Sequence, residues 1–406
     1  MCPENIRPLL RIVSKHACYL TVLELEQCFS FFNLDIKFSG KRYIVSFSSV
    51  EIFMSHFSKK EITSLFLLAA VVFIATFLSR NARLFNTSLT TSSGSFEVLI
   101  ERSTDVEGLS GKLDSLDVDF NKEELRWAAN TLGWRTYQSG RYVLTNEDSY
   151  SQFLSKLGRG IQDPGSVTVL PGLDIDRLSR NLSNQLRADS LSFRQIFEDS
   201  SETAQEYQLT GEQLFARMLP ETYQMYWTSS PENVVRRIYS EFQNAVLDRY
   251  EDEIEQNSLN LDEILTLASI VEGEARLNEE KPKISGLYLN RLDRDMRLQA
   301  DPTVIYALGE RRRLLYEDYE FDHPYNTYRI AGLPPGPITN PDLNSIRAVL
   351  FPEEHDYLYM VATPEGSHRF SETYSEHQQA SEEWRQWLRE QYRIQSETEQ
   401  ESSSDT

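Results

Sequence analysis

The sequence predicts an α+β protein carried on a single N-terminal transmembrane helix, and three observations lead there. Ile62 to Leu78 is an uncharged apolar run of 17 residues, just long enough to cross a bilayer as a helix. Beyond a polar linker, Phe96, Val98 and Ile100 alternate as a strand does, and helical patterns follow, as in a small sheet covered by helices. The rest, from about residue 173, reads as a larger domain of mixed α+β character organised around Leu261 to Gly309.

The bulk properties narrow the function. A chain of 406 residues has room for two or three domains with ample cores. A formal charge of −21 argues against nucleic acid as a partner, because phosphate binding needs basic patches. Cys2, Cys18 and Cys28 all precede residue 29, no CxxC spacing occurs, and the six histidines form no HExxH pattern. The chain beyond residue 28 is therefore expected to work without disulfides or a thiolate metal site, which is compatible with an oxidising compartment.

Taken in order, residues 1–60 form an extension that is mixed in composition and ill suited to precede an export signal. Met54 opens MSHFSKKEITSLFLL, a basic run leading into the apolar segment, so either translation starts at Met54 or the extension is a genuine cytoplasmic one. Residues 61–79 are the expected anchor. Lys59 and Lys60 before it nearly balance Arg80 and Arg83 after it, so charge does not settle its orientation. No small-residue cleavage site follows, which favours an uncleaved anchor.

Residues 80–94, ending in NTSLTTSSG, read as a flexible linker. Residues 95–172 then show a strand at 96–100, helices near 106–116 and 122–132, a strand at 142–144, a helix at 149–157 and a strand at 167–170. From Ile175 to Asn260 the pattern is mostly helical and acidic, broken by the aromatic cluster MLPETYQMYW, and Pro231 opens a helix running towards Tyr250.

The central stretch begins with Ile264, Leu267, Ala268, Val271 and Ala275 at three- and four-residue steps, one apolar stripe of a helix. Glu274 lies on that stripe, and Glu272, two residues away, points to roughly the opposite side. A carboxyl among core-facing residues loses hydration, so its pKa rises towards what a general acid needs near neutrality. The alternative places Glu274 at the solvated edge of the stripe, and periodicity leaves both readings open.

A second helix follows at Lys283 to Leu292, ending in Asn290 and Arg291. Gln299 and Asp301 then flank a chain expected to be extended at Pro302. HPYNTYRIAGLPPGPITNP, rich in Pro, Gly and Asn, reads as an ordered loop, and its Tyr325, Asn326, Tyr328 and Arg329 suit the wall of an oligosaccharide groove as well as a plain surface loop. DYLYMVA reads as a buried strand, residues 371–394 as a terminal helix, and the tail 396–406 as disordered.

LASIVEGEA, LYLNRL, MRLQADPTVIYALG, PYNTYRIAGLPPGPITNP, DYLYMVA and HRFSETYSEHQ together carry a resemblance, joined more weakly by SGRYVLT, VLPGLDIDRLSRNL and LPETY. The chain resembles the endolytic murein transglycosylases, the YceG-like family of membrane-anchored enzymes that cut peptidoglycan, over about residues 62–395. That resemblance implies a LysM-like module at 95–172 and a catalytic domain at 173–395, outside the cytoplasmic membrane on a single-pass anchor. It implies peptidoglycan glycan strands as substrate and peptidoglycan synthases as candidate partners.

The family's catalytic glutamate falls on Glu274. Glu272, Asn290, Gln299, Asp301, Tyr325, Asn326 and Tyr328 match recurring positions and are implied to bind or support substrate. The family often places Thr after the glutamate, whereas Ala275 stands here, a change expected to be tolerated. The implied activity is that of a carbon–oxygen lyase needing no metal or cofactor: non-hydrolytic cleavage of the β-1,4 bond between N-acetylmuramic acid and N-acetylglucosamine, leaving 1,6-anhydro ends and terminating strand elongation. Two rivals remain at this level. One is a hydrolase in which Asp301 or Glu272 positions water, and the other is a non-catalytic glycan-binding scaffold of the synthesis machinery.

Overall fold

The computed structural model describes residues 34–38, 41–45, 58–86, 89–116 and 118–404. The chain divides into two compact units, residues 1–86 and 87–406. In the first, β1 (Leu34–Phe38) pairs antiparallel with β2 (Lys41–Val45), Leu34 opposite Val45. Met54 lies outside the described residues. Helix α1 (Lys59–Phe85) follows, and its stretch Thr63–Phe85 is long and apolar enough to cross a membrane. Leu65, Phe66, Phe73 and Phe77 are all exposed on it, an apolar surface of the kind that marks an interaction site. The Thr76 hydroxyl donates to the carbonyls of Val72 and Phe73, so this polar side chain is satisfied within the helix.

In the second unit, β3 (Ser95–Ile100) pairs antiparallel with β4 (Gly140–Thr145). Helices α2 (Val106–Ser115) and α3 (Lys122–Leu132) lie between these two strands in the chain, and α4 (Tyr150–Arg159) follows them. Each starts on a capping side chain, from Asp105, Asn121 and Ser149 respectively, which accepts from the otherwise unpaired first-turn amides. Val98, Ile100, Leu109, Leu125, Tyr142 and Phe153 are fully buried, as the strand and helix periods predict.

Strand β5 (Gly165–Thr168) pairs antiparallel with β6 (Thr222–Met225). Between them run four short helices, α5 (Ile175–Ser183), α6 (Ser190–Ile196), α7 (Glu202–Tyr207) and α8 (Gly211–Ala216). Met218, Tyr223 and Met225 of the aromatic cluster are core residues here, while Tyr226 is exposed. Helix α9 (Pro231–Phe242) does not run unbroken to Tyr250. It passes into a π-helical turn at Gln243–Leu247, and α10 (Glu251–Gln256) follows.

Helix α11 (Leu261–Glu274) is the centre of the larger core. Asn260 and Glu263 close a capping box at its start. Every residue from Ile264 to Val271 is buried, including Thr266 and Ser269, so the helix is enclosed on all sides rather than along one stripe. Around it lie α12 (Lys281–Asp293), α13 (Asp301–Leu308) and α14 (Leu343–Leu350). Strands β7 (Tyr359–Ala362) and β8 (His368–Ser371) form an antiparallel hairpin against α15 (Tyr374–Ser404).

Three sequence expectations change. Asp301 and Pro302 open a helix instead of an extended segment, because a proline's fixed φ suits a first helical turn and its missing N–H is not needed there. The DYLYMVA strand is only half-buried, since β7 pairs with β8 alone in a two-stranded hairpin. Helix α15 continues to Ser404, well into the segment whose composition predicts disorder, in keeping with the helix propensity of its Glu and Gln residues.

One buried side chain ties the segment around Leu170–Leu173 to the loop that precedes α14. Asn340 Oδ1 accepts from the Leu173 amide at 2.8 Å, and its Nδ2 donates to the carbonyls of Leu170 and Met218 at 3.0 and 3.1 Å. Asn340→Ala strips partners from three backbone groups at once and is expected to cost about 2–4 kcal/mol. Chemical denaturation of the two proteins checks this, and an unchanged midpoint would remove Asn340 from the framework.

Candidate active site

Glu274 is the last residue of α11. Its side chain keeps partial solvent access, yet protein surrounds the carboxyl closely. Tyr288, fully buried on α12, donates its hydroxyl to Glu274 Oε1 at 3.1 Å. Asp301, the first residue of α13, brings both its backbone N–H and its negative charge to the carboxyl. Arg291, one helical turn beyond Tyr288, supplies an opposing positive charge. Desolvation first, and Asp301 second, push the Glu274 pKa up to about 7, against the smaller pull of Tyr288, Arg291 and the Asp301 amide. The C-terminal end of a helix, where the dipole is negative, also disfavours a carboxylate.

Gly273 makes this arrangement possible. A Cβ there would stand 2.7 Å from Pro302 Cβ, so only glycine lets the start of α13 approach the end of α11 so closely. The Asp301 carboxylate accepts from Tyr328 at 2.7 Å, and the Tyr328 ring packs 4.5 Å from that of Tyr319. The Arg291 guanidinium is fixed by the carbonyls of Leu358 and Leu298 at 2.6 and 2.5 Å and lies over the Tyr359 ring.

The other residues singled out in the sequence occupy different places. Glu272 points away from Glu274 into a buried clamp, accepting from Lys281 at 3.0 Å and Ser345 at 2.6 Å, and Lys281 also pairs with Asp342. Asn290 donates to the carbonyls of His355 and Tyr357, which anchors the chain entering β7. Asn326 is fully buried and holds the carbonyls of Tyr319 and Phe321, shaping the loop that carries Tyr319. Tyr325 donates to Glu212 at 3.1 Å and packs on Tyr306, apart from the Glu274 cluster. Gln299 is exposed with φ of 51°, a left-handed conformation that strains any residue but glycine, and its amide donates to Thr327. Glu274, Asp301 and Tyr328 thus come together, while Glu272, Asn290 and Asn326 build the frame. Among the described residues no group of three or more His, Cys, Asp or Glu is placed to hold a metal ion.

Residues 98–383 match the YceG-like family, most of the chain beyond α1. The chain belongs to the YceG-like family. A Bacillus subtilis protein named endolytic murein transglycosylase is 28% identical over 309 residues, covering 72% of this chain and 86% of its own. A pneumococcal protein of the same name, from Streptococcus pneumoniae strain R6, is 28% identical over 257 residues; the match covers 55% of this chain but only 46% of that one. Among solved structures, a YceG-like protein of Listeria monocytogenes superposes with a TM-score of 0.52 at 29% identity, over 71% of this chain and 99% of its own.

Within this YceG-like chain, sequence reasoning passed over Tyr288, Arg291, Tyr319 and Lys281. A signal for two of them was present. Ile284, Leu287, Tyr288 and Arg291 share the buried face of α12, and an arginine on an apolar face requires a partner or a task. Lys281 stands at the start of that helix, where a lysine is ordinarily solvated, and Tyr319 falls on a short 3₁₀ turn, so neither gave such a sign.

The displaced titration of Glu274 has a consequence for stability. A carboxyl whose folded pKa is raised contributes fully below its unfolded value, near 4.5, and that contribution is lost as pH rises through about 7. The loss is bounded by about 3 kcal/mol and reduced by the residue's partial exposure. Glu274→Gln keeps the acceptor for Tyr288 and carries no charge, so it should melt several degrees above the wild type at pH 8 and with it at pH 4. Thermal melts at both pH values test this; equal melting at pH 8 would mean the carboxyl is not desolvated.

Proposed function

We propose that this protein is a membrane-anchored endolytic lytic transglycosylase that cuts peptidoglycan strands at the bond from N-acetylmuramic acid to N-acetylglucosamine. The observation that carries the reading is Glu274, a desolvated carboxyl at a helix end, poised near neutrality, and it is the residue that the resemblance implies as the family's glutamate. In the first half-reaction protonated Glu274 gives its proton to the glycosidic oxygen as the bond to C1 breaks and oxocarbenium character develops. The N-acetylglucosamine end leaves with a free hydroxyl. In the second, the Glu274 carboxylate takes the proton of the muramic C6 hydroxyl as that oxygen bonds to C1, closing the 1,6-anhydro ring. Tyr288 and Arg291 support the carboxylate between the two steps. The substrate supplies its own nucleophile, so the scheme uses a single catalytic carboxyl.

In the same reading, residues 95–172 are a LysM-like module, peptidoglycan synthases are candidate partners, and α1 holds residues 87–406 on the outer side of the cytoplasmic membrane. Protease added to spheroplasts should then digest the region beyond α1, and its full protection would reverse the orientation.

Glu274→Gln is expected to lower release of anhydro-muropeptides by about 10²–10⁴-fold, the usual worth of general acid–base catalysis. Glu272→Gln, which touches the clamp instead, should lose stability before activity. Wild-type activity should fall as pH rises through about 7. Mass analysis of products from purified glycan strands decides between chemistries: anhydro ends support the proposal, and ends that have gained water point to a hydrolase. Full glycan binding with no cleavage by the wild type would leave a scaffold.

A further inference from the structure

The segment that leads into α13 alternates in exposure. Leu298 and Ala300 are fully buried, while Arg297, Gln299 and Asp301 are exposed. These three polar residues line one edge, which starts at the Asp301 amide that bonds the Glu274 carboxyl. Four residues of chain span at most about 14 Å, so Arg297 stands within reach of a ligand seated at the acid.

Arg297 is anchored without being neutralised. Its Nη1 donates to the Tyr328 carbonyl at 3.0 Å, and the Tyr328 hydroxyl in turn donates to Asp301 at 2.7 Å. Among the described residues no carboxylate pairs with Arg297, nor with Arg329, the exposed residue next to Tyr328. Elsewhere in this acidic chain exposed arginines do find carboxylates, as in Arg126–Glu107, Arg194–Asp176 and Arg236–Glu206.

Arg141 shows what the same anchoring can serve. Its Nη1 donates to the Pro164 carbonyl at 2.8 Å, and its Nε and Nη2 form a fork on the Glu97 carboxylate. Arg297 repeats the carbonyl anchor, which leaves its Nε–Nη2 edge for another partner. A planar fork of this kind matches a carboxylate in both geometry and charge.

We propose that Arg297 is a specificity-determining residue: it binds a carboxylate of the peptide stem carried on N-acetylmuramic acid, so that the site favours peptide-bearing strands over bare ones. The ligand follows from its chemistry. Both sugars and their N-acetyl groups are uncharged, and the stem, joined through the lactyl carboxyl, brings the carboxylates. Arg329 adds positive charge at the same loop. The inference rests on the proposed function for its substrate, and its test reads binding without turnover.

The full chain is used in detergent micelles, in a Glu274→Gln background that holds strands without cutting them. Binding is compared on purified peptide-bearing strands and on the same strands stripped of stems by an amidase. The Glu274→Gln protein should prefer peptide-bearing strands by about tenfold, the worth of one charge-assisted fork at an exposed site. That preference should shrink as salt is raised. Adding Arg297→Gln should abolish it and leave affinity for bare strands unchanged. Arg297→Lys keeps the charge but not the fork, so it should keep only part of the preference. Full preference in the Gln variant, or in the Lys variant should the former fold poorly, overturns the proposal. Equal losses on both kinds of strand also overturn it, since they would mark a purely structural tie to the loop, and so does a Glu274→Gln protein that treats both strands alike. If the preference follows Arg297 but the wild type releases no anhydro product, the transglycosylase reading fails and the assignment of Arg297 stands.

Discussion

The site depends on one conflict, between the burial of a carboxyl group and its ionisation. Glu274 ends a helix that is buried on every side, so its carboxyl meets low polarity and the negative end of the helix dipole together. Asp301 deepens the conflict, while Tyr288 and Arg291 relieve part of it. The result is an acid with comparable affinity for its proton and for its loss, the condition under which one group can serve as donor and acceptor in turn.

Holding opposed charges at such close quarters requires a rigid frame, and much of the remaining structure supplies it. The Glu272–Lys281–Asp342 clamp joins α11, α12 and α14 on the side away from the acid. Thr327 bonds both the Ala300 amide and the Thr303 hydroxyl, which pins the aromatic loop to the start of α13. Asn290 and Asn326 tie loop carbonyls that would otherwise be left without donors. These polar side chains are buried or nearly so, and each is satisfied, which suits a network that fixes geometry.

Local patterns in the sequence carried a good deal of this. The helical period of Ile264 to Val271 located the central helix, while leaving open whether Glu274 at its end was desolvated or at a solvated edge. The alternation of Phe96, Val98 and Ile100 located β3, and the bounds of α3 agree to the residue. What the sequence could not show was set by contacts between distant segments. The resemblance implied that Asn290 and Asn326 bind or support substrate, and in the structure their side-chain amides hold backbone carbonyls of distant segments. Asp301 looked extended because a proline follows it, whereas the packing of Pro302 on Gly273 draws both into a helix. Tyr288 and Arg291 were legible in principle, since both fall on the buried face of α12. Their relation to Glu274 was not, because it arises only when α12 packs beside α11.

The Gly273–Pro302 contact also bears on entropy. A glutamate side chain free in water samples many rotamers, and fixing one costs up to about 2 kcal/mol. Here the Tyr288 bond and the close approach of α13 settle that conformation when the chain folds. The acid and its charged neighbour are mounted on abutting backbone, with few rotatable bonds between them. Little disorder is left to remove when a ligand arrives, so the free energy of binding can go into distorting the ligand rather than into arranging the protein.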